Sequence, residues 1–401
     1  NTFLDVYQEK ESRMVIKRQN RTIREDRRMM IYVFVFLLLL VLSGWEVFGK
    51  PGRKAQRKFL VIIVLLITCI SAIRWGGPGD FFNYKRMYDN MQWGMVFHGG
   101  FEKFDTEPLF NLLLILTNRV SGGNFTVFLF VHGLLVNGLF ALFIWKMESD
   151  KEQRYIFLFM FGTWAMGLWG VFVVRQTIAS VICLYSIIYI RKKSWVGFLV
   201  CLFAAIMFHK AALAWTLAYP IYHISLSRRW ILVMLVTFTV FAAFMIKPMF
   251  LMISQIVGGE LGYRIWEYLN EGNSAYGANY SILFMILKRM ANSVLIVGVM
   301  FILYNRYRGD DDFLGCLNLY SFGFAITIGA LFTSNVYARF ATPYCMVSLY
   351  QFGYLFRNNS SNWKSKVIFG IYGIYSLSRL MVYVGSYDAY VPFSTIFGMV
   401  G

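Results

Sequence analysis

Charge is scarce in this chain: only 15% of its 401 residues are Asp, Glu, Lys or Arg. A soluble domain of that length could not hide the remaining apolar surface, because 58% of the residues are hydrophobic. Cysteine is equally thin. The five residues Cys69, Cys183, Cys201, Cys316 and Cys345 are odd in number and scattered singly. No two have metal-ligand spacing, and they read as small residues of membrane helices. The four histidines form no HxxxH or HxxE cluster, so no protein-built metal site and no cofactor is expected. The ten-residue alternating strands of a membrane barrel are also missing.

What is present is apolar sequence in long runs. Spanning helices are predicted at about 31–48, 59–75, 124–146, 155–174, 175–190, 195–209, 211–226, 230–247, 281–304, 314–334, 338–356 and 367–385. Residues 108–119 are apolar but too short to cross, which predicts a re-entrant or interfacial helix in the first large outer loop. The fold class is therefore an all-α polytopic membrane protein of about 12 transmembrane helices plus that loop helix. Residues 29–401 form one membrane domain. Residues 1–28 form a polar arm with eight Lys or Arg, read as a cytoplasmic amphipathic helix or as a segment foreign to the native start. No cleavage site for a signal peptide follows the first apolar run.

The basic residues are not spread evenly. Beyond the N-terminal arm, six short polar loops hold most of them: 49–58, 146–154, 191–193, 228–229, 305–312 and 357–366. They fall in alternate gaps between apolar runs, as cytoplasmic loops do. The formal charge of +18 is thus a matter of topology and anionic lipid rather than nucleic acid. One conflict follows, since the same reading places the basic arm 1–28 outside. Arg74, Arg175, Lys210, Lys247 and Arg339 fall at the opposite ends of the predicted helices, where the rule expects few cations. Charge kept there points to a shared anionic ligand on the outer side.

Four short stretches carry the chemistry. In AIRWGGPGDFFNY, residues 72–84, Arg74 ends a helix, glycines free backbone N–H groups, and Asp80 and Tyr84 follow on one face of a new helix. Arginine beside a glycine-rich turn and a helix N-terminus suits phosphate, although a snorkelling Arg74 and a capping Asp80 would look the same. In VVRQTIAS, Arg175 and Gln176 interrupt the apolar sequence without glycine or proline, at either a tight turn or a cavity. In MFHKAALAW, His209 and Lys210 do the same, and His209 is the best general-base candidate by residue type. Its plain alternative is a helix-terminal histidine bonded to a carbonyl. In NVYARFATPY, Arg339 begins a helix. Glu107-Pro108 opens the short segment, with Glu107 as a second carboxylate or simply a cap.

The Arg-x-Gly-Gly-x-Gly-Asp-x-x-x-Tyr stretch at 74–84, Glu107-Pro108, Arg175-Gln176, Phe208-His209 and Arg339-Phe340, in this order, resemble the EpsG family. That family is a branch of the Wzy-like bacterial polysaccharide polymerases, and the likeness runs from about residue 30 to residue 345. It implies a glycosyltransferase of the bacterial cytoplasmic membrane, working on its outer face. Such an enzyme moves a growing glycan from undecaprenyl pyrophosphate to another lipid-linked repeat unit. Implied partners are those donor and acceptor lipids, with chain-length regulator and flippase proteins. Arg74, Tyr84, Arg175, Gln176, Lys210 and Arg339 would then hold the pyrophosphate without a metal, and His209, Asp80 and Glu107 are the candidate bases. Two other functions compete. A flippase or exporter of lipid-linked glycan would favour inverted repeats and mid-membrane charge. A transferase using lipid-phosphate sugars would usually place an adjacent acidic pair in the first outer loop, and none is there.

Overall fold

The structure, a computed structural model, describes residues 29–76, 80–97, 106–172, 174–270, 282–357, 363–385 and 393–399. The basic arm 1–28 lies outside the described residues. Sixteen α-helices carry the fold among them. They are α1 (Met30–Gly49), α2 (Arg53–Ile73), α3 (Phe81–Asn90), α4 (Pro108–Ser121), α5 (Phe125–Met147), α6 (Ile156–Ala165), α7 (Arg175–Arg191) and α8 (Trp195–Phe208). After a 3-10 helix at Lys210–Leu217 come α9 (Ala218–His223), α10 (Arg228–Val257), α11 (Gly259–Asn270), α12 (Ile282–Tyr307) and α13 (Asp311–Phe332). A second 3-10 helix, Asn335–Ala341, leads to α14 (Thr342–Met346), α15 (Ser348–Gln351) and α16 (Trp363–Val384).

Seven of these, α1, α2, α5, α10, α12, α13 and α16, are long and apolar enough to cross a membrane. The remaining predicted spans are helical but shorter or broken. The run 155–174 is helical only to Ala165. Gly167 and Gly170 interrupt it, and a Cβ on Gly170 would lie 2.0 Å from Asn137 Oδ1. The run 211–226 starts as a 3-10 helix, and 338–356 alternates short α and 3-10 pieces. In the other direction, α10 continues through Lys247 and Pro248, ten residues beyond the predicted end. A π-turn at Ala242–Ile246 precedes Pro248 and absorbs its missing N–H. Lys247 is therefore a mid-helix residue.

Local chemistry explains the ends. Asn124 Oδ1 accepts from Thr126 N–H (3.0 Å) at the start of α5, and Asp310 Oδ1 accepts from Phe313 N–H (3.0 Å) at the start of α13. Pro108 occupies the first turn of α4, and Gly122 (φ 63°) ends it. The start of α6 is capped from afar: the buried Glu46 carboxylate receives the N–H groups of Ile156, Phe157 and Leu158. Helix α13 is the most enclosed of the seven long helices and packs against α9, α10, α12 and α14.

The six basic loops meet at one end of the bundle. Gln56 Nε2 donates to Glu46 and to Arg154 O, Arg357 pairs with Glu148, and Arg191 pairs with Asp150 and Asp312. Lys151 faces Asp310 and Asp312, while Arg228 donates to Asn305. At the far end, a separate aromatic core joins α3, α4 and the tip of α5 through Phe81, Tyr88, Phe110, Leu114, Phe125 and Phe128. One departure from the all-α plan lies there. A two-stranded hairpin, β1 (Ser394–Thr395) and β2 (Gly398–Met399), clips the end of α2, with Trp75 N–H donating to Ser394 O (2.7 Å).

Candidate functional site

Helices α7 and α8 both leave the basic end, yet at 1.5 Å per residue their 17 and 14 residues reach only ~25 and ~21 Å. The 23 residues of α5 reach ~34 Å. The far ends of α7 and α8 are thus recessed, and α4 packs across α8 above them. Those two recessed ends are Arg175 and the His209–Lys210 link.

Arg175 is the hub. Its Nη1 donates to Glu107 Oε2 (2.9 Å) and its Nε to Tyr84 Oη (3.3 Å). Its guanidinium carbon stands 5.7 Å from the centres of both the Tyr84 and Phe110 rings. The other Glu107 oxygen, Oε1, accepts from the backbone N–H of Lys210 (2.9 Å). Four segments remote in sequence are joined by these contacts. Burial raises the pKa of the Tyr84 phenol although the guanidinium pulls the other way, so it stays protonated at neutral pH.

His209 ends α8 in extended backbone (φ −161°), and its Nδ1 accepts from Ala211 N–H (3.1 Å). In the neutral ring that fixes the proton on Nε2. Arg175, Arg339 and Lys210 are the charged groups that act on it. Gln176 works through its amide: Nε2 donates to Thr342 Oγ1 (2.7 Å) and to Arg339 O (3.2 Å), tying α7 to the second 3-10 helix. Gln176, Ser180, His209, Ala212, Arg339 and Pro343 line a crevice too narrow to hold a water molecule.

The structure therefore brings together Tyr84, Glu107, Arg175, Gln176, His209, Lys210 and Arg339. Asp80 sits exposed one helical turn before Tyr84, with Asn83 Nδ2 donating to its Oδ1 (3.2 Å). Arg74 is not in this group. It is buried behind α3, between the rings of Phe81 (5.2 Å) and Phe172 (5.3 Å), and its backbone bridges Thr395. Phe110 and Thr342 belong to the site without any signal in the sequence, being ordinary members of apolar segments. A larger cavity of about 450 Å³ lies at the basic end among Lys151, Arg191, Tyr222, His223 and Asp310–Asp312. Its Arg191, Lys151 and Tyr222 engage Asp312, so the charges there satisfy one another.

An all-helical membrane protein with a recessed cationic site at the end away from its basic loops is the class defined so far. Residues 57–395 match the EpsG family, and the chain belongs to it. Neither the curated proteins nor the solved structures contain a match to the chain.

Proposed function

We propose that this protein polymerises undecaprenyl-pyrophosphate-linked oligosaccharide repeat units into an exopolysaccharide, capsule or O-antigen-type glycan. The work takes place at the extracytoplasmic face of the bacterial cytoplasmic membrane. The observation that carries this reading is the meeting of Arg175, Lys210 and Arg339 around His209 at the end opposite the basic loops. The basic loops are cytoplasmic in this reading, by the same charge rule that orients other membrane helices. The seven long helices cross fully, and the shorter helical runs complete about 12 passes around the recess, with α4 as the re-entrant element.

In the transfer, an acceptor hydroxyl oxygen attacks the anomeric carbon of the donor glycan. The bond from that carbon to the phosphate oxygen breaks, its electron pair stays on the pyrophosphate, and the hydroxyl proton goes to a base. Arg175, Lys210 and Arg339 neutralise the charge gathering on the leaving group, and the planar fork of Arg175 orients two phosphate oxygens. His209 serves as a donor through Nε2–H, because Nδ1 already accepts from Ala211 N–H. Both Glu107 oxygens are engaged. Asp80 is the exposed carboxylate, one turn from Tyr84, and suits the role of base.

Arg74 acts in this scheme as a buried strut behind α3. The test is reconstitution of the purified protein with lipid-linked repeat units in sealed vesicles. Growth of the glycan ladder supports the polymerase, single-sugar addition supports a lipid-phosphate-sugar transferase, and translocation without growth supports an exporter.

A further inference from the structure

Glu107 begins α4, yet its side chain caps nothing there. It turns instead into the recess and places one oxygen on a guanidinium and the other on a backbone N–H. That N–H belongs to Lys210, the first residue of an eight-residue 3-10 helix. An arginine fork beside a helix-start N–H is the arrangement that holds a phosphate oxygen pair. The carboxylate is 6% exposed and reaches both donors at 2.9 Å. The backbone beneath it is fixed. Asn111 Nδ2 donates to Thr106 O (3.0 Å) and to Val96 O (3.2 Å), which anchors the main chain on either side of the loop that carries Glu107.

We infer that the Glu107 carboxylate occupies the seat of a substrate phosphate, as an internal anion that the incoming pyrophosphate group displaces. This rests on the proposed reading of the recess as a pyrophosphate site. The local field favours the exchange. Arg175, Arg339 and Lys210 are the charged groups that act on neighbouring His209. A diphosphate brings more negative charge than the carboxylate it replaces, and it takes the Nη1 donor that Glu107 Oε2 now holds while Nε stays with Tyr84. Between turnovers, Glu107 keeps Arg175 from collapsing onto lipid phosphate or adopting other rotamers. During turnover it leaves, and the two donors pass to the substrate.

The experiment is calorimetric binding of inorganic pyrophosphate to the detergent-solubilised protein, comparing wild type, Glu107→Gln, Glu107→Ala and Arg175→Ala. Glutamine keeps the volume and an acceptor for Lys210 N–H but removes the competing charge. The expected result is measurable binding to wild type, loss on Arg175→Ala, and about tenfold tighter binding to Glu107→Gln, the factor of one charge-assisted contact no longer opposed. Tighter binding to Glu107→Ala as well supports the exchange. Wild-type binding that is unchanged or weakened in both Glu107 variants overturns the displacement and leaves the anion site standing. Binding that is equal in wild type and Arg175→Ala, or lacking in all four proteins, overturns the anion site itself. Thermal midpoints with and without pyrophosphate give a second readout if a variant is poorly stable, since a ligand that binds the fold raises the midpoint in step with its affinity.

Discussion

At the scale of single residues, Arg175 holds the recess together and would also do its chemistry, and the two roles separate by substitution. Arg175→Ala leaves the buried Glu107 carboxylate without its charge partner, a loss of about 3–5 kcal/mol for a pair of this burial. Expression and thermal midpoint should fall with it. The double variant Arg175→Ala/Glu107→Gln removes the stranded charge and should regain much of that stability while staying inactive. Arg175→Lys keeps a cation for Glu107 but loses the Nε bond to Tyr84 and the fork. It should fold and still polymerise on the order of a hundredfold more slowly. Glycan length at matched expression checks this, and a fully active Lys variant ends the pyrophosphate role of Arg175.

Elements were legible where composition alone decides and illegible where contacts do. The long apolar runs and the start of α7 at Arg175 could be read directly. The early end of α6 could not, because Gly170 matters through Asn137, 33 residues away in sequence. Nor could the continuation of α10 through Pro248, which depends on a π-turn that no pattern announces. At the site, Arg175, Gln176, His209 and Arg339 stand out as polar breaks in apolar sequence, whereas the Glu107 bond to Lys210 N–H spans 103 positions and has no local trace. Arg74 shows the opposite failure, since an arginine after a membrane helix looks the same whether it faces a ligand or lies between two phenylalanines. Helix packing near the site can be tested at Gly323 of α13. A Cβ there would meet the Tyr344 Cβ at 2.5 Å and the Cys345 backbone nitrogen at 3.3 Å. Gly323→Ala should force α14 away and cost about 1–3 kcal/mol. The shift would disturb the Thr342 contact with Gln176, so activity should fall together with the thermal midpoint. An alanine variant with wild-type midpoint and activity would show that α13 and α14 have slack between them.

At the scale of the whole molecule, the two ends of the bundle differ in chemistry. At one end, lysines and arginines from the basic loops pair with Glu148, Asp150, Asp310 and Asp312, and Gln56 donates to Glu46. At the other, Arg175, Lys210 and Arg339 gather with Glu107 around His209. Cations gathered near hydrocarbon are costly, and an anionic ligand repays that cost. The sidedness is therefore the premise from which the outer-face reaction follows, and it can be broken by one experiment. With Cys69, Cys183, Cys201, Cys316 and Cys345 replaced, single cysteines at positions 54, 151, 192, 229 and 308 should react with a membrane-impermeant maleimide only after the cells are opened. Single cysteines at 80 and 270 should react in intact cells. Cys183 and Cys316 are buried, so their replacements should be small and apolar to keep the bundle packed. If position 80 reacts only in opened cells, Asp80, Tyr84 and the recess face the cytoplasm. A lipid-linked donor displayed on the outer surface could not then reach Arg175, and the polymerase reading would fall together with the topology.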